Sequence, residues 1–418
     1  MDKIIIEGAH PLQGEVTIHG AKNAALPIMA ASLLLDGELW LKNLPQLSDI
    51  KTMVKLLEHL GVEGDLEKGQ ARLLSKKSKA VEAPYDLVKT MRASVLVLGP
   101  LLARRGRAKV SLPGGCAIGE RPIDQHLKGF EALGAKVTLE HGYVEVEAKA
   151  LKGATYTFDV VSVTGTENLI MAASLAKGET ILENAACEPE IVDLANLLIA
   201  CGAKIKGAGT STVVIEGVQS LQSTEYRIMP DRIEAGTFLI AGAALPGSQV
   251  LVKETSVKSL DHLLIKLKEA GAKLKIGEDS IQVTAPKKLK PVDISTAPYP
   301  GFATDLQAQW MALMCLAEGS SVIAENIFEN RFMHVAELKR MGADIRLDGH
   351  TAFVRGVKKL SGAPVMATDL RASASLVIAA LAAEGKTEIG RVYHLDRGYE
   401  LLEKKFRSLG AKIKRVKG

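Results

Sequence analysis

The sequence predicts an α/β protein of two domains, each assembled from three copies of one βαβαββ unit. Two observations carry this. The first is a glycine turn that recurs six times: LGVEG at Leu60, LGAKV at Leu133, CGAKI at Cys201, AGAKL at Ala270, MGADI at Met341 and LGAKI at Leu409. The glycines Gly61, Gly134, Gly202, Gly271, Gly342 and Gly410 are 73, 68, 69, 71 and 68 residues apart. A glycine just past a helix is a left-handed stop, and a period kept along the whole chain marks a repeated supersecondary unit. The second is a set of six segments rich in small residues, one ahead of each turn. They are AALPIMAASLL from Ala24, SVLVLGPLLA from Ser94, LIMAASLA from Leu169, FLIAGAAL from Phe238, WMALMCLA from Trp310 and SLVIAALAA from Ser375.

Within a unit the elements follow in a fixed order. A strand leads into the small-residue segment, which is apolar nearly all round and so reads as a buried helix. None of these segments is long enough to span a membrane. Most are followed by a glycine turn and a β-branched run, such as GETILEN, GSQVLVKE or GSSVIAEN, which reads as a second strand. Next comes a two-faced helix: MVKLLEHL, HLKGFEAL, LLIKLKEA and VAELKRM set apolar residues at helical spacing with Lys and Glu between them. The repeated glycine ends that helix, and short alternating strands form a closing hairpin.

Composition fits a large globular enzyme. The 418 residues favour two domains. Hydrophobic content of 47% supplies a core, but aromatics are only 4%, so aliphatic and small side chains must do the packing. The net charge of +5 is spread among acids, which fits small anionic ligands and argues against a nucleic-acid surface. The chain enters the strand-like KIIIEG at once, with no export signal or membrane segment expected, and a cytoplasmic setting follows. Cys116, Cys187, Cys201 and Cys315 show neither paired nor metal-ligand spacing, so no metal, cofactor or disulfide is expected.

Six units divide most simply three and three. The boundary is expected in EGVQSLQSTEYRIMPDR, between the third hairpin near Gly217 and the fourth buried helix near Ile233. The isolated strand at residues 3 to 8 has no upstream partner, whereas the sixth unit ends abruptly at KIKRVKG. The N-terminus is therefore expected to complete the sixth unit. The domains are then residues 22–229, and 1–21 with 230–418. Two chain crossings join them, with the active site expected in the cleft between.

Polar residues gather where the buried helices begin: Lys22 and Asn23, Arg92, the VSVTGTEN segment from Val161, Asp231 and Glu234, Asp305, then Asp369 with Arg371. Helix N-termini favour anions. Thr304 and Asp369 have the plainer reading of helix caps. Lys22 does not, because a cation at a helix start is electrostatically wrong unless an anion sits beside it. The segment SLPGGCAIGERPIDQH, residues 111–126, reads as a glycine-rich loop over about 111–122 that is able to move. A thiol there with Arg121 close by can act as acid or nucleophile. Cys187, Cys201 and Cys315, in or beside apolar helical contexts, read as packing residues. The loop glycines match neither the Walker nor the dinucleotide pattern.

The segments GAKNAALP, LPGGCAIGERPID, ENAACEPEIVDLANLL, MPDRIEAGTF, PYPGFATDLQAQ, FENRFMHVAEL, ATDLRASASLVIAA and HLDRGYE together resemble the UDP-N-acetylglucosamine 1-carboxyvinyltransferase family, in order and along essentially the whole chain. The resemblance implies a two-domain inside-out α/β barrel of six βαβαββ units, three per domain. It also implies transfer of the enolpyruvyl group of phosphoenolpyruvate to the 3′-hydroxyl of UDP-N-acetylglucosamine, with release of phosphate. That reaction is the first committed step of bacterial peptidoglycan synthesis, in the cytoplasm. On this resemblance Cys116 is the general acid, forms a covalent adduct with phosphoenolpyruvate and is the target of fosfomycin-type epoxides. Asp305 is the base. Lys22 and Arg397 are catalytic and, with Asn23 and Arg121, hold phosphoenolpyruvate. Asn23, Arg92, Arg121, Pro122, Ile123, Asp124, Gln125, Ser162, Val163, Asp305 and Ile327 line the nucleotide-sugar site. The resemblance brings no cofactor, metal, nucleic acid or membrane, and a monomer or weak oligomer is expected.

Read alone, Arg397 in HLDRGYELLEKKF is a surface salt-bridge residue; the resemblance reverses that. Asp231 and Glu234 read as structural, and His126 and His394 as satisfied histidines near the key motifs. Cys187 departs from the family pattern, which usually carries Arg there. The alternatives are the shikimate-pathway enolpyruvyl transferase, which the GGCAIGERP loop disfavours; an RNA 3′-phosphate cyclase, for which a basic strip is missing; and a catalytically inactive nucleotide-sugar-binding paralogue, disfavoured by Lys22, Cys116, Asp305 and Arg397 occurring together.

Overall fold

The computed structural model describes residues 2–89, 91–112 and 123–417. These form two compact units, one of residues 2–19 and 230–417, the other of residues 20–112 and 123–229. Each unit has its own hydrophobic core. Among the described residues each unit holds three four-stranded sheets, all of one design. Two strands run parallel, and two more add antiparallel beyond the second of them, as a hairpin in every sheet but that of the sixth unit. In one sheet Thr155–Thr157 pairs parallel to Glu179–Glu183, which pairs antiparallel to Thr212–Glu216, with Lys204–Lys206 at the edge.

The six small-residue segments are helices: Lys22–Ala31, Leu98–Arg105, Val163–Ala173, Arg232–Ala244, Gln307–Met314 and Ala372–Ala382. They are buried nearly all round, which small side chains permit. A Cβ on Gly99 would stand 2.4 Å from the carbonyl oxygen of Asn168, so only glycine allows helix Leu98–Arg105 to lie so close to Val163–Ala173. The two-faced helices are Ser48–His59, Asp124–Ala132, Pro189–Ala200, Asp261–Glu269, His334–Arg340 and Leu402–Ser408. All six predicted stop glycines follow them, at φ between +88° and +102°. No described helix is long and apolar enough to cross a membrane.

The strands at residues 3–17 and 224–227 complete distant sheets. Lys3–Glu7 lies antiparallel between Lys386–Gly390 and Lys412–Val416, filling the sixth unit, which ends abruptly without it. Gln13–Thr17 leads the fourth unit, parallel to Gln249–Lys253. Thr224–Arg227 lies in the stretch expected to be a boundary, yet it is the leading strand of the first unit, parallel to Glu38–Lys42. A lone polar strand shows its edge hydrogen bonds only when a sheet lacks a neighbour, which no local pattern reveals.

Candidate functional site

In the unit of residues 20–229, Lys22 opens helix Lys22–Ala31 and is buried. The anion demanded beside it is in part the protein's own: Asp49, in the first turn of Ser48–His59, places Oδ2 3.3 Å from the Lys22 ammonium. Asn23 follows, exposed. Arg92 starts the 3₁₀ turn Arg92–Val97 and is half-buried. Ser162 caps helix Val163–Ala173, its hydroxyl accepting from the Gly165 amide at 3.2 Å, with Val163 as the first helical residue.

Ile123 and Asp124 are half-buried at the start of Asp124–Ala132. Gln125 turns inward. Its amide donates to Asp124 (2.9 Å) and accepts from the Asp159 amide (2.9 Å) and the Tyr156 hydroxyl (3.1 Å). Its side chain braces the Asp124 turn. Cys116, Arg121 and Pro122 lie outside the described residues.

His126, fully buried, is held by neutral partners. Asn168 donates one N–H to Val95 (2.9 Å) and the other to His126 Nδ1 (2.9 Å), while its oxygen accepts from Gly99 (2.8 Å). The imidazole therefore accepts at Nδ1 and donates from Nε2 to Thr164 Oγ1 at 3.1 Å. Burial pushes it down to about 4, against Asp124 and helped by Arg92. It is a structural histidine.

In the other unit an ionic chain surrounds Asp305, which sits in the turn Thr304–Leu306 ahead of helix Gln307–Met314. Arg331 Nη2 donates to Asp305 Oδ1 at 2.7 Å, and Arg371 Nε stands 3.6 Å from Oδ2. Both guanidiniums are buried, Arg371 at 1% exposure. Burial works against Arg371's charge, and Asp231, Tyr399 and Asp305 outweigh it. Arg371 also bonds Asp231 (3.0 Å) and the Gly398 carbonyl (2.9 Å), and stacks on Tyr399. The Gly398 contact fixes the backbone beside Arg397, which ends the turn Val392–Arg397 and is half-buried. Gln309 donates to the Asp305 carbonyl (2.9 Å) and the Tyr399 hydroxyl (3.1 Å). Half-buried Ile327 has its amide held by Glu325 at 3.0 Å.

Asp231 caps its helix through the Ile233 and Glu234 amides, and Glu234 pairs with Lys405, so both are structural. Asp369 caps Ala372–Ala382, accepting from the Arg371 and Ala372 amides. Thr304 does not cap; its hydroxyl joins Glu325 and Arg331. His394 is half-buried and lowered by burial and by Arg397. Burial raises the thiols of Cys187, Cys201 and Cys315, to about 11 and about 12 for the last two, so none is an activated nucleophile.

Sequence reasoning missed Asp49, Glu325 and Arg331 and gave Arg371 no partner. Only the recurrence of charge at helix starts hinted at them. The arrangement offers a buried cation in one unit, and in the other a carboxylate fixed by two guanidiniums, one of which also holds the backbone beside Arg397. Such groups suit anion binding and proton abstraction.

Known proteins extend this picture. The family described as EPSP synthase (3-phosphoshikimate 1-carboxyvinyltransferase) matches residues 6–406. A Geotalea daltonii protein described as UDP-N-acetylglucosamine 1-carboxyvinyltransferase is 60% identical over 416 residues, covering 100% of both chains. Proteins of the same description from Trichlorobacter lovleyi and Myxococcus xanthus are 61% and 59% identical, covering 100% of this chain and 99% and 100% of theirs. Among solved structures, the enolpyruvyl transferase NikO from Streptomyces tendae superposes with a TM-score of 0.89 at 26% identity, covering 100% of this chain and 99% of its own. EPSP synthase from Acinetobacter baumannii reaches 0.77 at 18% identity over 100% of both chains, a likeness of fold.

Proposed function

We propose, for a chain that belongs to the EPSP synthase (3-phosphoshikimate 1-carboxyvinyltransferase) family, the chemistry of its full-length relatives. The protein is a transferase that moves the enolpyruvyl group of phosphoenolpyruvate to the 3′-hydroxyl of UDP-N-acetylglucosamine and releases phosphate, in bacterial peptidoglycan synthesis. The observation that carries this is identity of about 60% to UDP-N-acetylglucosamine 1-carboxyvinyltransferases from end to end. The shikimate-type enzyme shares the fold at 18% identity. A cytoplasmic setting follows from these substrates.

The residues divide the work as follows. In the addition, the sugar 3′-oxygen bonds to C2 of phosphoenolpyruvate while C3 gains a proton. In the elimination, C3 loses a proton and the C2–O bond to phosphate breaks. Asp305 takes the 3′-hydroxyl proton; its orientation is supported by Arg331 and Arg371. Cys116 delivers the proton to C3. Lys22, Asn23, Arg121 and Arg397 neutralise the phosphate and carboxylate, and the buried Lys22–Asp49 pair fits a cation held ready for them. Arg92, Pro122, Ile123, Asp124, Gln125, Ser162, Val163 and Ile327 hold the nucleotide sugar, Gln125 through its backbone. Phosphate release is expected only when phosphoenolpyruvate and UDP-N-acetylglucosamine are both present. Release with shikimate 3-phosphate in place of the sugar nucleotide, or with neither acceptor, would contradict the reading.

A further inference from the structure

Glu325 is 1% exposed, yet its carboxylate is heavily hydrogen-bonded. Four donors converge on it: the hydroxyls of Thr296 (3.0 Å) and Thr304 (2.8 Å), and the amides of Ile327 (3.0 Å) and Phe328 (3.2 Å). The Thr304 hydroxyl also receives Arg331 Nη1 at 3.1 Å, and the other end of that guanidinium holds Asp305 at 2.7 Å. The polarity of this chain is forced. A guanidinium only donates and a carboxylate only accepts, so the single Thr304 proton points to Glu325 and a lone pair points to Arg331. Arg371 is held from behind by Asp231 directly. Arg331, which also feels the charge of Asp369, reaches the Glu325 carboxylate at one remove, through a hydroxyl. We infer that Glu325, which the reading above leaves without a substrate, is a positioning residue for proton abstraction by Asp305, acting through Thr304 and Arg331. The same carboxylate fixes the amides of Ile327 and Phe328, so one buried group sets both the base and a wall proposed for the nucleotide sugar.

The inference rests on Asp305 being the base, and its test separates the two. Glu325→Gln keeps an oxygen for the amides but sets an N–H₂ against Thr304, which then faces donors on both sides. Thr304→Val removes the hydroxyl at constant shape, and Thr304→Ser keeps it. Turnover is measured as phosphate release per folded molecule, and nucleotide-sugar affinity by calorimetry. Expected are a fall in kcat of about tenfold or more for Glu325→Gln and Thr304→Val, the size that small misplacements produce, with affinity within about threefold. Thr304→Ser should stay within about threefold of the parent in both. In an Asp305→Asn background Thr304→Val should cost nothing more. If Asp305→Asn retains near-normal turnover, the base reading fails and the inference with it. Two results overturn the inference alone, with Asp305→Asn inactive: normal kcat in Thr304→Val and Glu325→Gln, or losses that multiply in the double variant. A fall in folded yield at unchanged kcat would reduce Glu325 to a structural role and overturn it as well.

Discussion

His126 and His334 stand on the second helix of the middle repeat in their respective units, and both are fully buried. They are held in opposite ways. His126 is keyed by Asn168 and Thr164, in a network where each amide and ring atom has a defined role. Neither ring nitrogen of His334 makes a well-formed hydrogen bond to a described group; the Arg331 carbonyl offers only a weak contact. Burial pushes it to about 4, while Asp369 and the Arg331 carbonyl pull upward and the Arg331 charge pulls down. One repeat position thus serves two ends. In residues 20–229 it locks neutral hydrogen bonds between helices. In the other unit it borders the ionic chain around Asp305, where charge decides the geometry. The first region is a hydrogen-bonded scaffold, and the second carries the ionic chain that holds the proposed base Asp305.

The contrast breaks most sharply at Asp305. Asp305→Asn should cost about 10²–10⁴-fold in turnover, as loss of a general base does, with nucleotide-sugar affinity retained. Near-normal turnover at saturating substrates would remove proton transfer from this unit. Arg371→Met comes next. It strips the cation shared by Asp231 and Asp305 at full burial, and breaking such a pair costs about 3–5 kcal/mol. Denaturant unfolding that shifted by less than about 1 kcal/mol would mean water reaches those carboxylates.

The hydrogen-bonded side should fail differently. Asn168→Ala leaves the Gly99 amide, the Val95 carbonyl and His126 Nδ1 without their partner, a loss of about 2–3 kcal/mol with catalytic residues untouched. His334→Leu removes two ring nitrogens with at most a weak contact to the Arg331 carbonyl, so it should change stability by less than about 1 kcal/mol. Equal losses in the two variants would erase the distinction.

Acid titration sharpens it further. A histidine held near 4 when folded and near 6.5 when unfolded gives its full stability above pH 6.5. That stability is lost as pH falls through 6.5 toward 4, because the unfolded chain binds the proton first. For His126 the loss is about 2 kcal/mol by pH 5. His126→Gln should flatten the fall between pH 7 and 5 in denaturation midpoints, and an unchanged slope would place the acid sensitivity elsewhere.

Much of the architecture was legible in the sequence because its signals are local. A glycine that must adopt positive φ is visible at Gly61 or Gly410 without knowing what the helix packs against, and Ala-rich segments announce close-packed helices. The site was legible as residue types at helix starts, and the resemblance supplied their roles. Lys22 even demanded a neighbouring anion, though nothing nearby in the chain named Asp49 as that group.

What only the tertiary structure decided are pairings between distant segments. Thr224 meets Leu39 because the first sheet needed a strand, a requirement set by unpaired backbone edges in space, whereas the pairing of Ile4 with Ile389 was already implied by the abrupt end of the sixth unit. The Glu325–Thr304–Arg331–Asp305 chain joins three parts of one unit, and of its members the sequence singled out only Thr304, as a cap, and Asp305, at a helix start. The sequence by itself determined the repeat, its helices and its turns, since those follow from dihedral preference and hydrophobic period. Folding decided which charges share a dry interior. A buried ion is tolerable only where its partner is also buried, and that condition is written in three dimensions.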